Sequence, residues 1–197
     1  TETSSVSPSE LMTGSDWLNQ PNKSQKKYLD TEAVYRQFVY ENYQTVDQGL
    51  EKTIAHLFDQ DEFENTGIYS ISQHIRDTLT KYMKYDEKTN TQSENVLEDF
   101  LNQKISGNDV LFASAAVEAF RHYNIPARYV EGYLLKSDAI DEEGNATLTS
   151  KDGHAWVEVY FDGMGWLPID VTPGYYYDVY TLMNMVATPQ GDNSQVN

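Results

Sequence analysis

The chain offers imidazole and carboxylate chemistry and no thiol chemistry. Among its 197 residues none is cysteine, four are histidine and 31 are Asp or Glu. A thiolate nucleophile, a thiolate zinc site and a disulfide are therefore excluded. His56, His74 and His122 fall in helical patterns without metal-ligand spacing, and they read as surface or hydrogen-bonded structural residues. His154 stands instead in a strand-like run, GHAWVEVY at 153–160. Asp109 opens a helical pattern, where a carboxylate accepts backbone N–H bonds and opposes the positive end of the helix dipole. On its own residues it reads as a cap. The acidic stretches DQDEFENTG at 59–67 and DAIDEEGN at 138–145 lack the spacing of a calcium-binding loop and read as solvated loops.

The elements that must position these groups follow from periodicity. Spacings of three and four predict a helix capped by Asp30, with Val34, Tyr35, Phe38, Val39 and Tyr43. They predict a second around Leu50, Ile54, Leu57 and Phe58, and a third from Ser70 through Ile71, Ile75, Leu79, Tyr82 and Met83. A fourth is capped by Ser93 and carries Val96, Leu97, Phe100 and Leu101. The fifth starts at Asn108 or Asp109, runs through Phe112, the Ala113–Ala116 stretch and Phe120, and stops at Asn124 and Pro126. Beyond Pro126 the pattern changes to alternating β-formers in ARYVEGYLL, GHAWVEVYF and GWLPIDVT, with a turn at Asp162–Gly163 and a short strand expected at 146–149. Helices first and strands afterwards predict an α+β fold with N-terminal helices packed on an antiparallel sheet.

The expected organisation is a flexible polar leader over 1–27, a domain over 28–187 and a polar tail over 188–197. A start at Thr1, with neither Met nor an apolar signal core, reads as a fragment or a processed form. The net charge of −17 argues against gripping nucleic acid or an anionic membrane surface, and no apolar run is long enough to span a bilayer. Arg128 is expected to pair with Glu131 or Glu158, and Tyr175–Tyr177 to form an edge strand or contact surface.

Three separated segments stand in order: GNDVLFASAAVEAFRHYNIPARYVEGY at 107–133, GHAWVEVY at 153–160 and GWLPIDVTPG at 165–174. Together they resemble the transglutaminase-like superfamily, a papain-like group that includes microbial proteases and amidases, over about Ile71 to Gly174. The resemblance implies a cysteine nucleophile at a helix start, a histidine on one strand and an aspartate on the next. These roles fall on Asp109, His154 and Asp170, so that Asp109 replaces the cysteine. Tyr82, Tyr85, Trp156 and Trp166 are expected to line the cleft, the tryptophans as core or wall residues. If the family geometry holds, two carboxylates flank His154, which is then expected to carry a raised pKa and a protonated ring.

Three readings of this triad stand open. One is a pseudoenzyme, a non-catalytic binding or scaffold domain of a larger, membrane-attached bacterial protein. It would work outside the cytoplasm, without a cofactor, on a peptide, protein or cell-wall ligand. YRQFVYENYQTV resembles the helix that precedes such domains. The second is a peptidase- or amidase-like hydrolase in which Asp109, His154 and Asp170 act on a bound water. The third is a divalent cation held by the same three residues, although nothing else in the sequence completes a coordination shell.

Overall fold

The computed structural model describes residues 20–58, 67–89, 93–135 and 140–176. The expected tail, most of the expected leader, most of the 59–67 acidic stretch and Tyr177 lie outside those residues. No described helix is long and apolar enough to cross a membrane.

Helix α1 (Lys23–Asn42) begins at Asn22, whose side chain accepts the N–H groups of Ser24 and Gln25 while Gln25 accepts the Asn22 N–H. This reciprocal cap satisfies donors at the helix start, so the helix begins well before Asp30. Residues 23–27, expected as part of a flexible leader, are helical. Helices α2 (Glu51–Leu57) and α3 (Ile68–Tyr82) bury Ile54 and the Ile71, Ile75, Leu79 stripe. Strand β1 (Lys84–Tyr85) follows directly. Helix α4 (Val96–Gln103) has Asn95 at its start without a side-chain cap. Ser93, the expected cap, lies two residues upstream of the observed cap position Asn95; its hydroxyl accepts the Asn95 N–H and donates to Asp99.

Strand β2 (Ser106–Gly107) pairs in parallel with β1 and leads into α5 (Asp109–His122). The side chain of Asn108 accepts the Leu111 N–H, which makes Asn108 the cap and Asp109 the first helical residue. At the other end Asn124 is left-handed (φ 58°) and Pro126 follows, which ends the helix as its sequence predicts. Strands β3 (Ala127–Tyr133), β4 (Gly153–Phe161) and β5 (Gly165–Ile169) form an antiparallel sheet in the order β3–β4–β5. The strand expected at 146–149 reduces to one bridge between Ile140 and Ala146. The architecture is α+β.

The sheet is covered on both faces, and this sets where the site can be. Along β4 the side chains of Ala155, Val157 and Val159 are buried with Phe112, Ala115, Ala116 and Ala119 of α5. The alanines let the helix backbone approach the strands closely. The alternate residues His154, Trp156, Glu158 and Tyr160 point to the opposite face. Helix α1 covers the far end of that face. Its buried Glu32 accepts hydrogen bonds from the Tyr160 hydroxyl (2.9 Å) and the Gly163 N–H (3.0 Å). The near end, at His154, stays clear of α1.

Gly107 holds the approach to α5 in place. A Cβ there would lie 2.5 Å from the Phe100 ring and 3.2 Å from the Leu111 Cβ. Phe100 is fully buried, so the ring has no free space to move into. Gly107→Ala is expected to cost about 1–3 kcal/mol, by overpacking. A lowered urea midpoint with an unchanged m-value checks this.

Candidate active site

Three elements meet at His154. Asp109 comes from the first turn of α5, His154 from the start of β4, and Asp170 follows the end of β5. The Asp109 Oδ2 lies 3.1 Å from His154 Nδ1, and Asp170 Oδ2 lies 2.5 Å from His154 Nε2. Both ring nitrogens therefore face carboxylate oxygens. His154 and Asp170 are 6% and 4% exposed, so neither can turn to water instead. The carboxylates are anchored in turn: the Ala155 N–H donates to Asp109 Oδ2 (2.8 Å) and the Thr172 N–H to Asp170 Oδ1 (2.9 Å).

This geometry sets the protonation state. Burial favours the neutral ring, but the hydrogen bonds and charges of Asp109 and Asp170 outweigh it and raise the His154 pKa to about 9. At neutral pH the ring is an imidazolium donating from both nitrogens. Burial also works to raise the Asp109 pKa, yet hydrogen bonds from His154 and the Ala155 N–H, aided by that of Val110, hold it below the ordinary value. The result is a carboxylate–imidazolium–carboxylate row, buried at His154 and Asp170 and half-buried at Asp109, where it meets the cleft.

The cleft beside this row has a volume of about 540 Å³ and is walled by Asp109, Glu131, Gly132, Tyr133, Ser150 and His154. Trp156 stacks on His154 with ring centroids 6.3 Å apart. It needs Gly132 across the strand, where a Cβ would lie 2.7 Å from the indole. Tyr85 approaches the site through Tyr175, its ring edge-on at 6.1 Å. Tyr82 sits in a neighbouring groove, away from the triad's cleft. Trp166 does not line the cleft. Its indole N–H donates to the Tyr35 hydroxyl, and its ring packs against Tyr43 and Tyr160 and over Arg128. The cause is register: Trp166 pairs with Tyr160, at the end of the sheet under α1, roughly 13 Å along the strand from Asp170. Arg128 pairs with Glu158, its cross-strand neighbour.

Tyr175 is the site residue that motif reading does not assign. It stacks on His154 with centroids 4.5 Å apart, closing one face of the ring. Its signal is the TPGY sequence just after Asp170. The Tyr175 N–H donates to the Thr172 carbonyl (3.0 Å) and Gly174 has φ 91°, a turn that Pro-Gly favours. That turn folds the chain back onto the imidazole. No group of three or more acidic or histidine side chains suited to a metal occurs among the described residues. Asp109 and Asp170 bind opposite ring nitrogens, so a single cation could not replace both contacts.

The family model described as the transglutaminase-like superfamily matches residues 59–171, more than half of the chain. The chain belongs to the transglutaminase-like superfamily. It is 37% identical over 87 residues to a protein of Bacillus subtilis named uncharacterized protein YebA, a match covering 42% of this chain and 12% of that protein. It is 38% identical over 77 residues to a protein-glutamine gamma-glutamyltransferase of Pseudomonas aeruginosa, covering 39% of this chain and 11% of the relative. Both matches thus span only a small part of the relatives' own lengths. The crystal structure of the periplasmic domain of TgpA from P. aeruginosa, bound to ethylmercury, superimposes with a TM-score of 0.51 at 22% identity. That match covers 68% of this chain and 48% of the other, and it speaks to the fold.

The His154 pKa has a stability consequence with a definite sign. A folded value of about 9, against an ordinary 6.5, means that the ring's contribution is complete below about pH 6.5. It is lost as pH rises through about 9, and its full size is of order 3 kcal/mol. NMR titration is expected to place the His154 midpoint near 9. The urea midpoint should fall across that alkaline window. His154→Gln should lower it at neutral pH, by leaving the carboxylates without their cation, and should remove that alkaline drop.

Proposed function

We propose that this domain is a non-catalytic relative of the cysteine-dependent transglutaminases. It holds a polypeptide segment in the cleft beside Asp109 and His154 and does not transfer an acyl group. The observation that carries this reading is the Asp109 carboxylate, held by the His154 ring and the Ala155 N–H where the family resemblance puts a nucleophilic sulfur.

The chemistry supports it in three steps. Acyl transfer needs a nucleophile that attacks the amide carbon, and a carboxylate with a lowered pKa is a weak one. An attack by Asp109 would give a mixed anhydride, a species higher in energy than the amide it replaces. Hydrolysis by a positioned water needs a base; an imidazolium with both nitrogens donating has no free electron pair to take the proton, and the lowered pKa of Asp109, with Oδ2 engaged by His154 and the Ala155 N–H, makes its carboxylate a weak base. The triad atoms thus stabilise the fold and shape the cleft wall.

Two likenesses support the rest of the reading. One relative is named for protein-bound glutamine, which favours a polypeptide ligand. A structural neighbour is described as a periplasmic domain, which favours a site of action outside the cytoplasm. The small share of each relative that is matched favours a domain within a larger bacterial protein.

Ammonia release from a neutral glutaminyl peptide, with hydroxylamine as acceptor, tests the reading. The protein as it stands is expected to match its own His154→Ala variant at background. Turnover by the unaltered protein above that variant would mean an enzyme, and the proposal would fall. Asp109→Cys is expected to gain release that iodoacetamide abolishes, by at least about tenfold, because the thiolate would sit at the helix start beside His154. Silence of that variant would mean that the cleft no longer accepts a glutaminyl peptide.

A further inference from the structure

A second concavity, of about 950 Å³, lies where α3 ends and the β1–β2 pair begins. Its walls carry Lys81, Lys84 and Lys104 around the Tyr82 ring, with Ile105 and Pro173 as apolar surface. The chain has 14 basic residues against 31 acidic ones, yet three of the 14 converge here. None of the three lysines forms an ion pair with a carboxylate among the described residues. In so acidic a chain, three exposed ammonium groups at one groove make a locally basic surface.

The cations are also held in place. Lys104 Nζ lies 4.2 Å and Lys81 Nζ 5.0 Å from the centre of the Tyr82 ring, so the phenol gathers both ammonium groups at the groove. Lys104 occupies the left-handed position after α4 (φ 54°, ψ 44°), where glycine is the least strained residue. Lys81 and Lys104 both stand at helix C-termini, where a cation offsets the helix dipole. Lys84, on a strand, has no such role, and dipole compensation does not require glycine to be replaced at a left-handed position.

We propose that this groove binds an acidic polypeptide segment, with Lys81, Lys84 and Lys104 meeting its carboxylates and Ile105, Tyr82 and Pro173 meeting interspersed apolar side chains. The mixture of ammonium groups and apolar surface fits a peptide of alternating acidic and apolar residues better than a uniformly polar polyanion. Tyr85 belongs to this groove and packs edge-on against Tyr175, which itself covers His154. The groove therefore adjoins the triad. The inference rests on the reading of this domain as a polypeptide binder and specifies the charge of the polypeptide.

Fluorescence anisotropy tests it, with a short labelled peptide in which Glu alternates with Leu, Gln and Ser, and a counterpart with Lys for Glu. The acidic probe is expected to bind saturably, more weakly as salt rises, and the basic probe not to bind. Lys84→Glu and Lys104→Gly should each weaken binding by at least about tenfold, whereas Lys52→Glu on α2 should not. Lys104→Gly should keep or raise the melting temperature, since it relieves the left-handed residue. If it lowers that temperature and leaves binding unchanged, the lysine serves α4 alone and the proposal is overturned. Absence of saturable binding, or one affinity across all variants, overturns it too. So does preference for polygalacturonate over the acidic peptide, which would mark a surface for an anionic polysaccharide. The neutral peptide used with Asp109→Cys reads the triad's cleft. Turnover there without acidic-probe binding would remove this inference alone, and failure of both would remove the polypeptide reading as well.

Discussion

The arrangement at the head of α5 depends on a single constraint: a buried imidazole with a carboxylate on each nitrogen. A neutral ring could donate to only one of them and would turn a lone pair toward the other. Buried carboxylates left without a cation or a donor are costly. Proton uptake resolves both problems at once, which is why the His154 pKa rises despite burial. The cation then links α5, β4 and the segment after β5, three parts of the chain that share no local hydrogen-bond ladder at this point. The Ala155 and Thr172 N–H groups fix the carboxylates, so the row is held from both ends.

The same constraint determines the chemistry. In a site with a thiol, the imidazole alternates between taking and returning a proton, and it must spend part of its time neutral. Here the ring is held as a cation by charges that are part of the fold. Three elements meet where the family resemblance implies, and the ring between them is held in its charged form. Family membership thus speaks for the scaffold, while the chemistry rests on the side chains placed at this one site.

Much of this was legible in the chain. The helix periodicities, the α5 terminator at Asn124 and the three strands follow from local sequence because each reflects a local cause: apolar spacing, a left-handed residue or β-branched alternation. Asp109, His154 and Asp170 could be brought together only through a resemblance, since nothing in composition sets a distance between residues 109, 154 and 170. Trp166 was misplaced because a motif shows that a tryptophan is near Asp170 in sequence, while register decides which end of the sheet it occupies. The start of α1 was misplaced because its first turn is stabilised by a reciprocal polar cap at Asn22 and Gln25, and an apolar stripe does not reveal one. Tyr175 was open to inference from Pro173 and Gly174, but the turn's consequence is tertiary: only the position of β4 puts the returning chain over His154.

Replacement of a nucleophile by aspartate differs in kind from its loss. Alanine at the head of α5 would leave His154 with one carboxylate and the Ala155 N–H without its side-chain acceptor. Aspartate supplies an acceptor for that N–H, a second counter-charge for the ring and a negative group at the positive end of a helix. Each contact draws on a feature that a thiolate would also use: the helix terminus, the adjacent imidazole and the nearby backbone donor. A site suited to a sulfur anion is therefore also suited to a carboxylate, and the Asp109 contacts form a latch between α5 and β4. Such a latch holds the cleft walls together whether or not an acyl group ever passes through them. The elements that shape the cleft are the ones this row connects.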